Sequence, residues 1–371
     1  MPGIKITGSK DTPYGNLTKG NYKGEESTYY NHRLLSYKND VVEREENIHY
    51  AMLQCESPEK VIVVSGSFNS HLPELLKYPV KKIIYIERDP ALAKSEDHSY
   101  DSLSADIIIA NTDAFRYIKN HTERVDAILL LIPPPSTLLL NRYYTTEFFA
   151  EIKKRLNPGG VFMCSPGPYD NYLNKASINL YSSIFNSLSG IFKNVIPIAG
   201  NKLYFIASDK ELLSSIGHLT ILRKINNIYV SSDFLADDLI TKKSDEVITL
   251  LDPGIRKNNA SFPVACFHFQ SYNFSKNLNE KVPSIVLLFI LFAVPVTAIK
   301  RRNLIMYFSA SALAGFEMIM LLILQMMIGN MYQLTGLIVG GLMAGLAIGA
   351  GVNFNLLNSV SVRFKSVILF C

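Results

Sequence analysis

Three residues that could bind a nucleoside each follow a short apolar run of the sequence. Glu87 follows the run Lys82–Ile86, and an acid directly after a strand of a nucleoside-binding α/β fold accepts hydrogen bonds from the ribose hydroxyls. A solvated acid at a strand end is the alternative, and position alone leaves both interpretations open. Asp113 could accept a hydrogen bond from an adenine amino group, or could cap a helix over residues 114–119. Gly66 is the single glycine of the turn Ser65-Gly66-Ser67, so this turn is a poor glycine loop.

Other reactive side chains form no recognisable catalytic set. His49 and His71 stand alone, and the sequence has neither a Ser-His-Asp arrangement nor metal-ligand spacing, so no bound metal is expected. The cysteines are scattered without a CxxC pair, which is typical of ordinary thiols in a reduced compartment. The net charge of +5 is modest, and no Lys/Arg run with interleaved aromatic residues indicates a nucleic-acid partner.

Short apolar runs that alternate with helical segments predict the elements that position these residues. Strands that are apolar throughout and alternate with helices favour a parallel, doubly wound α/β sheet over residues 57 to about 210. Ligands bind beyond the carboxyl ends of such strands, so Gly66, Glu87, Asp113 and the loop 131–137 should surround one crevice. The predicted strands are 61–64, 82–86, 106–110, 126–131 and 161–163, and the predicted helices are 43–54, 72–77, 114–119 and 146–156.

The chain is predicted to have four parts. Turn residues in residues 1–56 indicate an N-terminal β-hairpin region, with hairpin material near Pro13–Leu17 and Ser27–His32. The α/β domain should occupy residues 57–280. Three apolar runs follow within residues 282–350, and a tail covers residues 351–371.

The three apolar runs predict transmembrane helices. They are Val282–Ile299, Leu304–Ile328 and Tyr332–Ala350, and each is close to the roughly 20 residues that a bilayer-spanning helix needs. Glu317 lies inside the second run. An ionisable group there marks a functional site in a bundle interior, or is a protonated acid that bonds a neighbouring helix, and both alternatives stay open.

Positive charge near these helices bears on their orientation. Lys300-Arg301-Arg302 favours a cytoplasmic position for the segment between the first two runs, which would send the large domain outside. The polar N-terminal segment has no apolar signal region, so export of that domain is disfavoured. We therefore expect a multi-pass membrane protein whose large domain lies in the cytoplasm.

The order of motifs in the first 170 residues resembles spermidine synthase, the aminopropyltransferase branch of the adenosylmethionine-dependent methyltransferase fold. This resemblance implies a Rossmann-like sheet, a ribose site at Glu87 and an adenine site at Asp113 and Ala114. The turn with Gly66 occupies the place of the family's glycine-rich loop. The implied substrates are decarboxylated adenosylmethionine, or a related adenosyl nucleoside, and a polyamine or other small-molecule ligand. The motifs are Glu43–His49 (ERDEF helix), Ile86–Pro90 (E-x-DP), Asp113-Ala114, Tyr144–Phe149 (YT-x-EFY) and Asn157–Gly160 (PGG).

Departures from that family fall on its catalytic positions. The family's catalytic aspartate corresponds to Leu131 and its second loop aspartate to Pro134. The glutamine before the ERDEF helix corresponds to Asp40, and the helix tyrosine to His49. Because leucine and proline cannot accept an amine proton, the resemblance predicts a degenerate active site.

A closer resemblance is to bacterial membrane proteins that fuse a spermidine synthase-like domain to transmembrane helices. It rests on Pro135-Ser136-Thr137, on Asn141–Thr145 and on the glycine-rich run Gly340–Gly349. Two classes of function follow: a membrane-anchored aminopropyltransferase-like enzyme, or a non-catalytic ligand-sensing or structural domain of a transport-like membrane assembly. A plain methyltransferase is disfavoured by the N-terminal hairpins. Membrane lipid and a second copy of the chain are further candidate partners.

Overall fold

A computed structural model gives the fold as two compact units, Met1–Asn273 and Phe274–Cys371, each treated by itself below. The free cysteines that it describes, Cys55, Cys164 and Cys266, are buried. The structure describes residues 5–22, 24–31, 33–37, 40–94, 105–169, 173–276, 283, 286–287, 289–291, 293, 300–328 and 332–351.

The first unit begins with a four-stranded antiparallel sheet in the order β1-β2-β3-β4. Turns lie at Pro13-Tyr14 and at Asn31, whose φ of 49° is in the left-handed region that asparagine tolerates. Its strands are β1 (Lys5–Thr12), β2 (Gly15–Tyr22), β3 (Glu25–Tyr30) and β4 (Arg33–Tyr37).

A seven-stranded mixed sheet forms the centre of the same unit, in the order β10-β11-β9-β8-β5-β6-β7. The strands β5 to β9 are parallel to one another. Strand β11 pairs antiparallel with β9, and β10 pairs antiparallel with β11. The strand order reverses at β5, whose neighbours β6 and β8 both run parallel to it. The strands are β5 (Lys60–Val64), β6 (Lys82–Ile86), β7 (Asp106–Ala110), β8 (Val125–Leu130), β9 (Leu156–Pro168), β10 (Asn194–Ala199) and β11 (Lys202–Ser208).

Helices cover both faces of this sheet, so a Rossmann-like α/β fold is confirmed, with a mixed sheet in place of a fully parallel one. Alternate residues of β5 face opposite layers: Val61 and Val63 join one core, and Ile62 and Val64 join the other. The helices are α1 (Val41–Met52), α2 (Phe68–Leu75), α3 (Pro90–Lys94), α4 (Ala114–Asn120), α5 (Leu138–Asn141), α6 (Thr146–Arg155), α7 (Lys175–Ser189), α8 (Ile216–Arg223), α9 (Asp237–Leu250) and α10 (Val264–Lys276).

One predicted boundary is wrong. The Asn157–Gly160 segment is not the loop that ends α6, because β9 begins at Leu156 and runs through it. Gly159 has a φ of 75°, and the register between β8 and β9 shifts between Val125 and Ala127. The strand therefore contains an irregularity at the point where the sequence pattern predicts a turn.

The second unit contains α11 (Arg301–Ile328) and α12 (Tyr332–Gly351). Among its described residues, one segment is long and apolar enough to cross a membrane, Asn303–Leu321, with a mean hydropathy of 1.7. The apolar part of α12 is shorter, Gly336–Gly345. The first predicted span, Val282–Ile299, lies mostly outside the described residues. One candidate span is thus present, and three are not shown.

Candidate functional site

Gly66 occupies a turn of left-handed backbone directly after β5. Ser65 has a φ of 60° and Gly66 a φ of 82°. A Cβ at Gly66 would lie 3.1 Å from the Cβ and 3.2 Å from the Cδ1 of Leu131. Both the backbone conformation and this close approach require glycine. The turn is therefore packed against the residue that follows β8.

Glu87 is a buried carboxylate at the end of β6, with 5 % of its surface exposed. The Ser65 hydroxyl donates a hydrogen bond of 2.6 Å to its Oε2, and the Asp89 backbone N–H donates one of 2.9 Å to its Oε1. Burial raises the pKa of Glu87, while these two donors oppose the shift. The carboxylate is held in place beside the β5 turn, so Glu87 is not a solvated strand-end acid.

Asp89 connects the two sheets, a role that the sequence pattern does not indicate. Its Oδ2 accepts a hydrogen bond of 2.6 Å from the Thr12 hydroxyl and one of 2.9 Å from the Tyr30 hydroxyl. Burial, followed by the nearby Asp89 carboxylate, raises the pKa of Tyr30, so Tyr30 remains a donor at neutral pH. The N-terminal sheet is thereby anchored next to Glu87.

Asp113 is the N-cap of α4, because its Oδ1 accepts a hydrogen bond of 3.1 Å from the Arg116 backbone N–H. The same oxygen is ion-paired with Arg142, and Oδ2 accepts a bond of 2.7 Å from the Tyr143 hydroxyl. Ala114 is buried as the first residue of the helix. The cap interpretation is confirmed, and an adenine ligand would have to share Asp113 with Arg142 and Tyr143.

The loop after β8 is fixed in place and contains no acid. Leu131 N–H donates to the Val64 carbonyl at 3.0 Å, and the Tyr144 hydroxyl lies 3.1 Å from the Pro133 carbonyl oxygen. The Gln270 side chain donates to the Ser136 carbonyl at 2.5 Å. The residues from Leu131 to Thr137 have the sequence LIPPPST. Leu131 thus lies beside the Gly66 turn and Pro134 beside Gly167, and neither side chain has a group that could accept a proton.

The acids of α1 are engaged in structural bonds. Glu45, which is fully buried, accepts hydrogen bonds from three successive backbone N–H groups, those of residues 228–230, at 2.8–2.9 Å. Glu46, also fully buried, accepts from the Asn201 backbone N–H at 2.9 Å and from the Tyr50 hydroxyl at 3.2 Å. Burial raises the pKa of Glu46 to about 7. These carboxylates hold distant loops against α1.

Both candidate histidines are buried and bonded. His49 lies 2.9 Å from Glu74 Oε2 and 2.7 Å from the Tyr78 hydroxyl. His71 Nδ1 lies 2.6 Å from the Ser67 carbonyl, so Nδ1 carries the proton and Nε2 accepts from the Asn47 amide at 3.2 Å. Burial lowers the pKa of His71 to about 4, which keeps the ring neutral. His49 and His71 therefore support the α1–α2 layer.

A cavity of about 410 Å³ lies between β3, α1 and the start of α2. Its lining includes Glu26, Asp40, Glu43 and Arg44, and His71 forms part of its wall. Glu43 is ion-paired with Lys202, and Arg44 with Glu74. Over the described part of the chain, no group of three or more His, Cys, Asp or Glu side chains is placed to hold a metal ion.

A family model matches the part of the chain that carries this arrangement. The model for the spermine/spermidine synthase domain matches residues 41–215, from the start of α1 to the residue before α8. Residues 41–215 are thus similar to a spermine/spermidine synthase domain. The Gly66 turn, Glu87, Asp113 and the loop after β8 all lie inside this domain.

Curated relatives of the domain are polyamine aminopropyltransferases. The protein from Oceanobacillus iheyensis is 28 % identical over 236 residues, which cover 56 % of this chain and 43 % of the relative. The one from Sulfolobus acidocaldarius is 28 % identical over 167 residues, 42 % of this chain and 53 % of the relative. The chain spans about half the length of the curated relatives that it matches.

Solved structures with a similar fold include spermidine synthase from Thermotoga maritima, with a TM-score of 0.46 and 18 % identity over 71 % of this chain and 84 % of that one. A probable spermidine synthase from Corynebacterium glutamicum has a TM-score of 0.46 and 15 % identity, covering 68 % of this chain and 96 % of that one.

Proposed function

We propose that this chain is a membrane-anchored protein whose spermine/spermidine synthase domain binds an adenosyl nucleoside and has a degenerate aminopropyl-transfer site. The observation that carries the proposal is the contrast between two strand ends. Glu87 stands at the end of β6 as an ordered, buried carboxylate, whereas Leu131 occupies the end of β8.

The proposed nucleoside places its ribose hydroxyls on Glu87. Each carboxylate oxygen has two lone pairs, so the bonds from Ser65 and Asp89 leave room for a further donor on each oxygen. The base then lies near Asp113 and Ala114, beyond the neighbouring strand β7. Relatives named polyamine aminopropyltransferases support decarboxylated adenosylmethionine or a related nucleoside as the ligand class.

Transfer of an aminopropyl group requires a base that takes up the amine proton, and this typically contributes ~10²–10⁴-fold to the rate. The position opposite the Gly66 turn carries the aliphatic Leu131, and Pro134 follows it. Glu45 and Glu46, the buried acids of α1, are already bound to backbone groups of distant loops. The chain has the ribose-binding acid Glu87, but Leu131 stands where the base is needed. This combination supports a domain that binds the nucleoside and transfers the aminopropyl group poorly.

The membrane part of the proposal rests on the second unit. The candidate span Asn303–Leu321 supports an anchor, and the apolar runs on either side support further spans in a bacterial inner membrane. We propose that the large unit lies on the cytoplasmic side. Glu317 lies within the candidate span and is the candidate functional group there, with lipid and a second copy of the chain as candidate partners.

A second candidate function is a non-catalytic ligand-sensing or structural domain of a transport-like membrane assembly. Leu131 and Pro134 favour it, because a domain that only binds a ligand needs no proton acceptor in the β8 loop. A ligand-sensing domain would bind the nucleoside without turnover, whereas a structural domain would need neither binding nor turnover.

The binding proposal is tested with the full chain purified in detergent. We expect Glu87→Ala to weaken the binding of 5′-methylthioadenosine by about 1.5–3 kcal/mol, the range for a hydrogen bond to a charged group. The control is Glu56→Ala, which removes an exposed acid ahead of β5. Isothermal titration calorimetry measures both, and a melting curve checks that each variant is folded. Equal affinity in Glu87→Ala and the wild type would contradict the assignment.

A further inference from the structure

The order of strands determines which residues face the 5′ substituent of a nucleoside bound at Glu87. The strands β7, β6, β5 and β8 are consecutive neighbours, and their carboxyl ends carry Asp113, Glu87, Gly66 and Leu131 in the same order. With the base near Asp113 and the ribose on Glu87, the 5′ substituent extends across Gly66 toward Leu131. Adjacent strands lie about 4.8 Å apart, so Leu131 is roughly two strand spacings from the ribose acid.

Three apolar side chains, those of Leu131, Pro134 and Phe269, lie at that end of the crevice. Leu131 lies so close to the Gly66 turn that a Cβ at Gly66 would be 3.1 Å from the Leu131 Cβ, and it packs against the core layer of α1 and α2. One strand further, a Cβ at Gly167 would lie 3.7 Å from the Pro134 Cβ and 3.9 Å from the Phe269 Cε2. The side chains of Leu131, Pro134 and Phe269 carry neither a charge nor a hydrogen-bonding group.

Two polar side chains lie beside the turn, those of His71 and Tyr85, and the Tyr85 hydroxyl donates a hydrogen bond of 2.9 Å to the Gly66 carbonyl. The Cε1 of His71 would lie 3.5 Å from a Cβ at Gly66. Its Nδ1–H donates to the Ser67 carbonyl, and its Nε2 accepts from the Asn47 amide. Both ring nitrogens are thus engaged, and His71 offers no negative charge to a ligand.

The acids that the structure describes around the crevice are already engaged or line the cavity beside α1. Asp113 is paired with Arg142 at the base end. Glu26, Asp40 and Glu43 line the cavity on the α1 side, and Glu43 is paired with Lys202. As far as the described acids go, a cationic group placed over Leu131 would therefore lose hydration without gaining a counter-charge, which is costly in a partly buried site.

We infer that the domain selects adenosyl nucleosides with a neutral, apolar 5′ substituent, such as a methylthio group, over those with a 5′ sulfonium and amine. Leu131 is the residue that determines this specificity. The inference rests on the proposed nucleoside site at Glu87 and adds the charge class of its ligand.

The test compares two ligands on the full chain in detergent by isothermal titration calorimetry. 5′-Methylthioadenosine is neutral at its 5′ end, and decarboxylated adenosylmethionine carries a sulfonium and an ammonium there. We expect the neutral ligand to bind at least about tenfold more tightly. Equal or tighter binding of the charged ligand overturns the inference, and Asp40→Asn then shows whether the cavity on the α1 side holds the amine.

Two substitutions at one position separate charge from polarity. Leu131→Asp should shift the affinity ratio toward the charged ligand by at least about tenfold, because it supplies the missing counter-charge. Leu131→Asn, which has the same shape without the charge, should leave the ratio within about twofold of the wild type. An unchanged ratio in Leu131→Asp, or an equal shift in both variants, contradicts the role of Leu131.

The failure of the inference and that of the proposed function give different results. If neither ligand binds, or if binding is insensitive to Glu87→Ala, the nucleoside site itself is wrong and the inference falls with it. If both ligands bind through Glu87 and the charged one binds as tightly or more tightly, the nucleoside site stands and only the charge preference is wrong.

Discussion

At the scale of single residues, the carboxylate of Glu46 controls a pH-dependent part of the stability. Its pKa is raised by burial from 4.5 to about 7. Because the raised pKa favours the protonated folded state, the stabilisation is fully present below about pH 4.5 and is lost as the pH rises through about 7. This change is on the order of 2–4 kcal/mol in the free energy of unfolding.

We predict that the melting temperature of the full chain in detergent falls between about pH 5 and pH 8, and that Glu46→Gln removes much of this fall. The amide keeps an acceptor for the Asn201 N–H and does not titrate. Glu56→Gln serves as the control, since its side chain is exposed. Identical pH dependence in Glu46→Gln and the wild type would show that Glu46 does not titrate in this range.

The positions of residues at strand ends could be predicted from the sequence, but most of their hydrogen-bond and ion-pair partners could not. Gly66, Glu87 and Asp113 follow apolar runs, and the parallel sheet brings them to one edge. The Asp89 partners Thr12 and Tyr30 are 77 and 59 residues away along the chain. No local periodicity encodes such a contact, because it depends on how two sheets pack. The ion pair of Arg142 with Asp113 was missed for the same reason.

At the scale of elements, the N-terminal sheet is attached to the α/β sheet through one buried carboxylate. Tyr30 on β3 donates to Asp89, which follows the end of β6. A hydrogen bond to a charged partner contributes about 1.5–3 kcal/mol. The bond therefore contributes a substantial part of the anchoring of β1–β4.

We predict that Tyr30→Phe increases amide hydrogen exchange in β1–β4 and leaves β5, β6 and β8 nearly unchanged. The control is Tyr29→Phe. Adjacent strand residues face opposite sides of a sheet, so this substitution removes a hydroxyl from the other side. Hydrogen–deuterium exchange with mass spectrometry measures both. Unchanged protection of β1–β4 in Tyr30→Phe, or the same increase in both variants, would contradict the attachment.

The elements that were predicted correctly are those with a strong local pattern. Continuous apolar runs gave the five parallel strands, and the helix pattern over 146–156 corresponds to α6 at Thr146–Arg155. The strand β9 begins earlier than expected, because Leu156 already pairs with Val125 of β8, and Asn157–Gly160 form an irregularity within the strand before pairing resumes at Val161. The antiparallel pair β10 and β11 was not assigned from the sequence.

For the whole molecule, we predict that the chain is a membrane protein. The candidate span Asn303–Leu321 should keep the expressed full chain in the membrane pellet after an alkaline carbonate wash. Substitution of Ala314 by arginine near the middle of the span should release part of it, since a central arginine costs about 2.5–3.5 kcal/mol on insertion scales. Release of the wild-type chain by the wash would contradict membrane anchoring.

We propose that the domain binds an adenosyl nucleoside at Glu87 and has lost efficient aminopropyl transfer. The most direct measurement is product formation from putrescine and decarboxylated adenosylmethionine by the full chain purified in detergent. The account predicts turnover far below about 1 s⁻¹, the low end of typical enzymes, because no residue of the Leu131–Thr137 loop can take up the amine proton. Turnover of about 1 s⁻¹ or more would contradict it, and would show that another group of the domain supplies the base.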